Sequence, residues 1–251
     1  VLSDIDVQLA TVGVDEAAVP RLQKLDPVAI LVREREVGAR EMAACPNLKA
    51  VVRYGIGTDN VDLDYASQRG IRVANVPDYG AEIEVSDHAL ALYLAVQRRI
   101  VSRDAEVRQG IWNVGQKALI PGRDGATLGL VGCGRIGFAT AAKFRSLGFW
   151  RILAFDPHID KGRATGEGIE TAALEDVCRA ADVLSLHAPL TDATRHMIGE
   201  SEIALLQPTT IVVNVSRGGL IEENALATAL HERRIFGAGI DVFETEPLAL
   251  D

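Results

Sequence analysis

Thr127-Leu128-Gly129-Leu130-Val131-Gly132-Cys133-Gly134-Arg135-Ile136-Gly137 reads as a buried strand running into a glycine turn, and a helix-length stretch follows to Leu147. A bare G-x-G-x-x-G says little. Here the context is complete, with a strand before it, a helix after it and a second strand ending at Asp156, 19 residues past Gly137. Each residue type has a physical reason. Gly132 allows the tight turn, Gly134 lets backbone approach a pyrophosphate without a Cβ in the way, and Gly137 lets the helix pack closely on the strand. Arg135 and Ile136 lie in the first turn of that helix, whose free N–H groups and positive dipole end face an anion. Asp156 sits where an acid accepts hydrogen bonds from ribose hydroxyls and repels a 2′-phosphate, so the expected cofactor is NAD, not NADP.

Outward from this point the same alternation recurs. After the loop Pro121-Gly122-Arg123-Asp124-Gly125, strands are expected at Thr127–Val131, Arg151–Phe155, Asp182–His187, Thr210–Asn214 and Gly237–Asp241. Before it, strands are expected at Ala29–Val32, Lys49–Arg53 and Ile71–Val73, with helices over Asp15–Leu25, Gly38–Ala44 and Asp62–Gly70. Strands alternating with helices in this way make an α/β protein with parallel sheets. One helix is expected from Ser86, as N-cap, to about Gln109, stopping at Gly110. Its first half is apolar all round and its second half polar, so the domain change is placed near Tyr93, giving domains 1–92 and 93–251.

Composition agrees with two modest soluble domains. The chain has 251 residues, 48% hydrophobic and 24% charged, enough for two separate cores. The net charge of −9 argues against nucleic acid or an anionic membrane as the main partner, since both need a basic face. No apolar run approaches the ~20 residues of a membrane span. The start, Val1-Leu2-Ser3-Asp4, has no signal-peptide pattern and no initiator Met, so residues are expected upstream. Cys45, Cys133 and Cys178 show neither metal spacing nor a disulfide framework, which fits a reducing cytoplasmic compartment and no metal site. Cys133, at an inward-facing position, reads as a small hydrophobe, not a redox switch.

Three later segments narrow the function. They are His187-Ala188-Pro189-Leu190-Thr191-Asp192-Ala193-Thr194, Val213-Asn214-Val215-Ser216-Arg217-Gly218-Gly219-Leu220, and Gly237-Ala238-Gly239-Ile240-Asp241-Val242-Phe243-Glu244-Thr245-Glu246-Pro247. With the glycine motif they resemble the D-isomer-specific 2-hydroxyacid dehydrogenases over nearly the whole chain. Val52-Arg53-Tyr54-Gly55-Ile56-Gly57-Thr58-Asp59-Asn60 and Val76-Pro77-Asp78-Tyr79 look most like the branch of the C-terminal-binding proteins, NAD-binding corepressors that keep the dehydrogenase fold.

The resemblance implies a Rossmann NAD-binding domain and a flavodoxin-like parallel-sheet substrate domain, the latter incomplete at the C-terminus. It also implies hydride transfer between C2 of a D-2-hydroxy acid and C4 of nicotinamide. That reaction needs a cation for the carboxylate, a base for the hydroxyl proton and a neighbour that tunes the base. By resemblance Arg217 is the cation, able to hold a carboxylate through two parallel hydrogen bonds. Glu246 is the acid that raises the pKa of the catalytic histidine. Asp241 contacts the nicotinamide end, His187, Ala188, Pro189 and Thr194 line the adenosine and ribose side, and Val215 and Ser216 complete the cofactor contacts. Arg53, Tyr54, Gly55, Ile56 and Gly57 offer substrate contacts, mostly through backbone N–H groups. A homodimer is implied as well, with the long helix and the loop Trp112–Pro121 suiting a subunit interface.

One departure stands out. The family's base lies in a Pro-His-hydrophobic-Gly segment some tens of residues after the Glu-Pro pair, and this chain stops at Asp251. None of His88, His158, His187, His196 and His231 has that context. The expectation is therefore a fragment of a dehydrogenase, with an NAD-sensing corepressor-like binding protein as the alternative. His187 belongs to the ribose side; His88 is in principle a better substitute base, although a histidine in the first turn of a buried helix is usually structural.

Overall fold

The computed structural model describes residues 7–13, 16–112 and 120–248. Two compact units divide between Tyr79 and Gly80. The first contains α1 (Ala18–Leu25), β1 (Ala29–Val32), α2 (Ala39–Ala43), β2 (Ala50–Arg53), α3 (Leu63–Gln68) and β3 (Arg72–Asn75). Its strands form a parallel sheet in chain order, β1-β2-β3. That order is one arm of a flavodoxin-like sheet; the reversal of order that completes such a sheet does not occur among the described residues. Leu22, Val32, Met42, Cys45, Val51, Ala66 and Ile71 form its core.

The second unit contains α4 (Ala81–Gln97), α5 (Ile100–Arg108), β4 (Thr127–Val131), α6 (Arg135–Ser146), β5 (Arg151–Phe155), α7 (Lys161–Gly166), β6 (Glu170–Thr171), α8 (Leu174–Ala180), β7 (Val183–Leu186), α9 (Glu200–Ile203), β8 (Ile211–Asn214), α10 (Glu223–His231) and β9 (Gly237–Ile240). All six strands are parallel, in the order β6-β5-β4-β7-β8-β9. Counted within the unit this is 3-2-1-4-5-6, the doubly wound dinucleotide-binding order. β4, β7 and β8 are buried along their whole length, because helices cover both faces of a parallel sheet and leave no room for alternation. One face packs Leu128, Leu130, Ile152, Phe138 and Phe144, the other Leu153, Leu184, Leu186, Val212 and Leu226.

The division does not fall near Tyr93, as the change of helix character suggests. All of α4 belongs to the second unit. Ala89 and Tyr93 are buried in its core, where the Tyr93 ring packs on Phe144 and Phe149 at centroid distances of 5.0 and 5.6 Å. The helix also starts earlier and ends sooner than its polarity pattern implies. Gly80, at φ +80°, precedes Ala81, and Arg99, at φ +54°, separates α4 from α5. Ser86 is no cap; its hydroxyl is buried and turns back onto the carbonyls of Glu82 and Ile83 within the helix.

Candidate active site

The predicted residues of the second unit gather at the carboxyl ends of its strands, around the point where strand order reverses between β4 and β7. That is where open α/β sheets bind ligands. Gly132 ends β4 with φ +87°, and a Cβ there would lie 2.5 Å from the Ala188 nitrogen and 2.7 Å from the His187 carbonyl carbon. The loop is thus pressed against the end of β7. A Cβ on Gly137 would meet the Gly132 oxygen at 2.7 Å, so the helix start is equally close.

Gly134 differs. Its φ is −79° and a Cβ on it would meet nothing within 4 Å. Neither strain nor protein packing calls for glycine there, and the space before the first turn of α6 is open. This fits a phosphate group approaching the backbone. Arg135, in that first turn, pairs with Glu82 at 3.1 Å, and Ile136 is half-buried beside it.

Asp156 follows β5 and is held from two directions. Its Oδ2 accepts from the Cys133 N–H at 2.8 Å and its Oδ1 from the His158 N–H at 2.8 Å. Each oxygen keeps a second lone pair, so the carboxylate is fixed in place and still able to accept. Cys133 itself is buried, and burial pushes its thiol up to about 12, which makes it an inert packing group.

At the end of β7, His187 places Nε2 2.9 Å from the Ser185 hydroxyl, while its Nδ1 is buried with no hydrogen-bond partner. Burial pushes the imidazole down to about 4, so the ring is neutral at pH 7. Ala188 is buried and Pro189 exposed. The Thr194 hydroxyl donates to the Pro189 carbonyl at 2.7 Å and accepts from the Thr191 N–H at 2.8 Å, closing the turn that follows.

The turn after β8 is organised by Asn214, a buried side chain not among the predicted site residues. Its Oδ1 accepts from the Ser216 N–H at 3.1 Å and its Nδ2 donates to the Arg217 carbonyl at 2.9 Å. Val215 is buried, and the Ser216 hydroxyl donates to the Ala188 carbonyl at 2.5 Å. Arg217 Nη1 donates to the Ser216 carbonyl at 2.7 Å. The loop after β9 packs on this turn without a gap, since a Cβ on Gly218 would fall 1.9 Å from the Phe243 carbonyl carbon. Glu246, exposed in that loop, accepts from the Phe243 N–H at 2.8 Å. His196, in the segment between β7 and α9, pairs with Glu244 of that loop. Asp241 ends β9, its N–H donating to the Asn214 carbonyl at 3.0 Å. Its Oδ1 lies 3.2 Å from His88 Nε2. Asn214 and His196 are the contributors to which the sequence assigns no role, and a buried amide at a strand end is the one sequence signal between them; His88, expected at most as a substitute base, stands beside Asp241 instead.

The expected substrate loop lies in the first unit, directly after β2. Gly55 has φ +152°, and the Arg53 guanidinium folds over it, its Nη1 3.3 Å from the Tyr54 carbonyl that accepts from it. The Gly55 carbonyl accepts from the Val76 N–H at 3.0 Å, and the Ile56 carbonyl from Asn75 Nδ2 at 2.7 Å. Gly57 is half-buried. The rings of Tyr54 and Tyr79 stack at 6.5 Å and are 66% and 56% exposed. Among the described residues no group of acidic, histidine or cysteine side chains has the arrangement of a metal site.

Residues 90–251 match the family model described as D-isomer specific 2-hydroxyacid dehydrogenase, NAD binding domain. The chain belongs to the D-isomer-specific 2-hydroxyacid dehydrogenase family. Its second unit carries the NAD-binding domain of that family, and the loop at Gly132, the Asp156 carboxylate and the strand order all suit that cofactor. Among these dehydrogenases the chain is 41% identical to D-3-phosphoglycerate dehydrogenase of Mycobacterium leprae over 92% of its own length and 42% of the relative's. It is also 41% identical to glyoxylate reductase of Thermococcus litoralis, over 90% of this chain and 70% of that one. In three dimensions it matches D-lactate dehydrogenase of Aquifex aeolicus, solved with NAD and lactic acid, at a TM-score of 0.87 and 28% identity. That match covers all of this chain and 77% of that one. The chain therefore spans less than half the length of the phosphoglycerate dehydrogenase it matches.

Proposed function

We propose that this protein is an NAD-dependent oxidoreductase that interconverts a D-2-hydroxy acid and its 2-keto acid. The observation that carries the reading is the packing of the Arg217 turn on the Glu246 loop, on the same sheet edge as the Gly132 loop and Asp156. NAD, when bound, supplies the hydride acceptor. The chain's own residues hold the cofactor and orient the substrate. The backbone of Gly132–Gly137 faces the pyrophosphate, Asp156 accepts from the adenosine ribose, and His187, Ala188, Pro189, Thr194, Val215 and Ser216 flank the nucleoside. Asp241 accepts from the carboxamide. Arg217 orients the substrate carboxylate, and Glu246 stabilises the charged form of a histidine base. In this reading the first unit is the substrate domain, and the loop Arg53–Gly57 gives backbone N–H groups to the acid.

The protein also forms a homodimer in this reading. Ile100, Val101, Val107 and Ile111, on and just beyond α5, and Trp112, 80% exposed, leave an apolar surface suited to a second copy; residues 113–119 of the expected interface loop lie outside the described residues. No helix among the described residues is long and apolar enough to cross a membrane, and the acidic charge and unpaired thiols fit a cytoplasmic enzyme without nucleic-acid partners. The likeness of residues 52–60 to the corepressor branch supports a second reading, an NAD(H)-sensing binding protein. The test is NADH oxidation by the intact protein with a panel of 2-keto acids, glyoxylate and pyruvate among them. Turnover that disappears in Arg217→Ala is expected. NADH binding without turnover on any acid would leave only the sensing role.

A further inference from the structure

Three rungs join α4 to β9. A Cβ on Gly237 would lie 2.7 Å from Val96 Cγ1, and one on Gly239 would lie 2.8 Å from Leu92 Cβ. The third rung is Asp241 with His88, Oδ1 to Nε2 at 3.2 Å. The spacing explains why they align. Residues 88, 92 and 96 lie on one row of the helix, with four residues rising about 6 Å. Residues 237, 239 and 241 share one strand face, with two residues rising about 6.6 Å. Helix and strand run in opposite directions, and the two glycines remove the side chains that would hold them apart. The fixed register carries His88 onto Asp241 where the strand ends. There both side chains are half-exposed, at 48% each. Asp241 Oδ2 meets no donor among the described residues.

We propose that His88 is a positioning residue for the nicotinamide end of the cofactor. Held through Oδ1, the Asp241 carboxylate turns Oδ2 toward the carboxamide N–H. His88 thereby acts on the cofactor through Asp241 and not as the proton-transfer base. The inference rests on the proposed NAD site.

Calorimetric titration of the intact protein with NADH and with ADP-ribose, which lacks the nicotinamide, separates the possibilities. His88→Ala is expected to weaken NADH by about tenfold while ADP-ribose stays within about twofold, the scale of one hydrogen bond to a charged group. His88→Gln keeps an N–H donor and is expected to recover most of the loss. ADP-ribose binding also reports that each variant is folded. Unchanged NADH affinity in His88→Ala, or an equal loss for both ligands, overturns the positioning role. Failure of the unaltered protein to bind either ligand overturns the NAD reading first and the positioning role with it.

Discussion

The chain carries two glycine loops that look alike on paper, Gly55-Ile56-Gly57 after β2 and Gly132-Cys133-Gly134 after β4. Each follows the carboxyl end of a parallel strand, and each begins with a glycine at positive φ. What surrounds that first glycine differs. At Gly132 the space a Cβ would need is filled by the backbone of residues 187 and 188, at 2.5 to 2.8 Å. At Gly55 it is filled by the tip of Arg53, at 1.4 Å from Nη1. The first obstacle is a neighbouring main chain locked into a six-stranded sheet, and the second is a flexible side chain that can swing away. One loop is therefore built as a rigid edge, the other as a surface whose covering can change.

The largest effect follows from the rigid edge. Gly132→Ala would place an L-residue at φ +87°, at about 1–2 kcal/mol. It would also force the loop off the end of β7, at about 1–3 kcal/mol more. A loss of about 3 kcal/mol corresponds to a fall in Tm on the order of 10 °C for a domain of this size. NADH binding should vanish with it. Thermal unfolding followed by circular dichroism checks this; a Tm within about 2 °C of the parent would mean that the close contact at Gly132 relaxes freely.

Gly134 sharpens the contrast, because nothing in the protein requires it to be glycine. With φ at −79° and open space around it, Gly134→Ala should change stability by under about 1 kcal/mol, the scale of an N-cap change. In the proposed NAD site the methyl group would nonetheless stand where the pyrophosphate would meet the backbone. NADH affinity is expected to fall by about tenfold or more, or about 1.4 kcal/mol, at an almost unchanged Tm. Equal affinity in the variant and the parent would show that the phosphates do not lie against residue 134.

Much of this was legible in the sequence, for a definite reason. β1, β4 and β5 have the same limits in the structure as in the pattern of residues, because each is a short, mostly apolar run stopped by a polar residue or glycine, Arg33, Gly132 and Asp156. Asp156, His187, Arg217 and Asp241 all follow strand ends, so locating the strands located the residues. Features that depend on two elements meeting were not legible. β6, only two residues long, exists because Glu170 and Thr171 meet the edge of β5. The break at Arg99 has neither glycine nor proline to announce it. The bond from Asp156 to the Cys133 N–H, the bracing of Arg217 by Asn214 and the His88–Asp241 rung each need the register between segments far apart in the chain. The same holds for the division at Tyr79, since the apolar half of α4 signals burial but not the partner it is buried against.

The smallest effect tests the other side of the comparison. Gly55→Ala carries a strained φ whatever Arg53 does, at about 1–2 kcal/mol, and in addition displaces the guanidinium. If the arginine is the movable obstacle, removing it should lighten the second part and leave the first. In a double-mutant cycle, Arg53→Ala combined with Gly55→Ala should cost less than the two single changes together. The expected coupling is about 0.5–1 kcal/mol, read from urea midpoints at constant m-value. The hydrogen bond from Arg53 Nη1 to the Tyr54 carbonyl is long, at 3.3 Å, and its loss adds little to the cost of the Arg53 change itself. Strict additivity would mean that the backbone conformation alone requires the glycine. The loop at 53–57 would then be as rigid as the one at 132–137, and the contrast between a fixed loop and an adjustable one would fail.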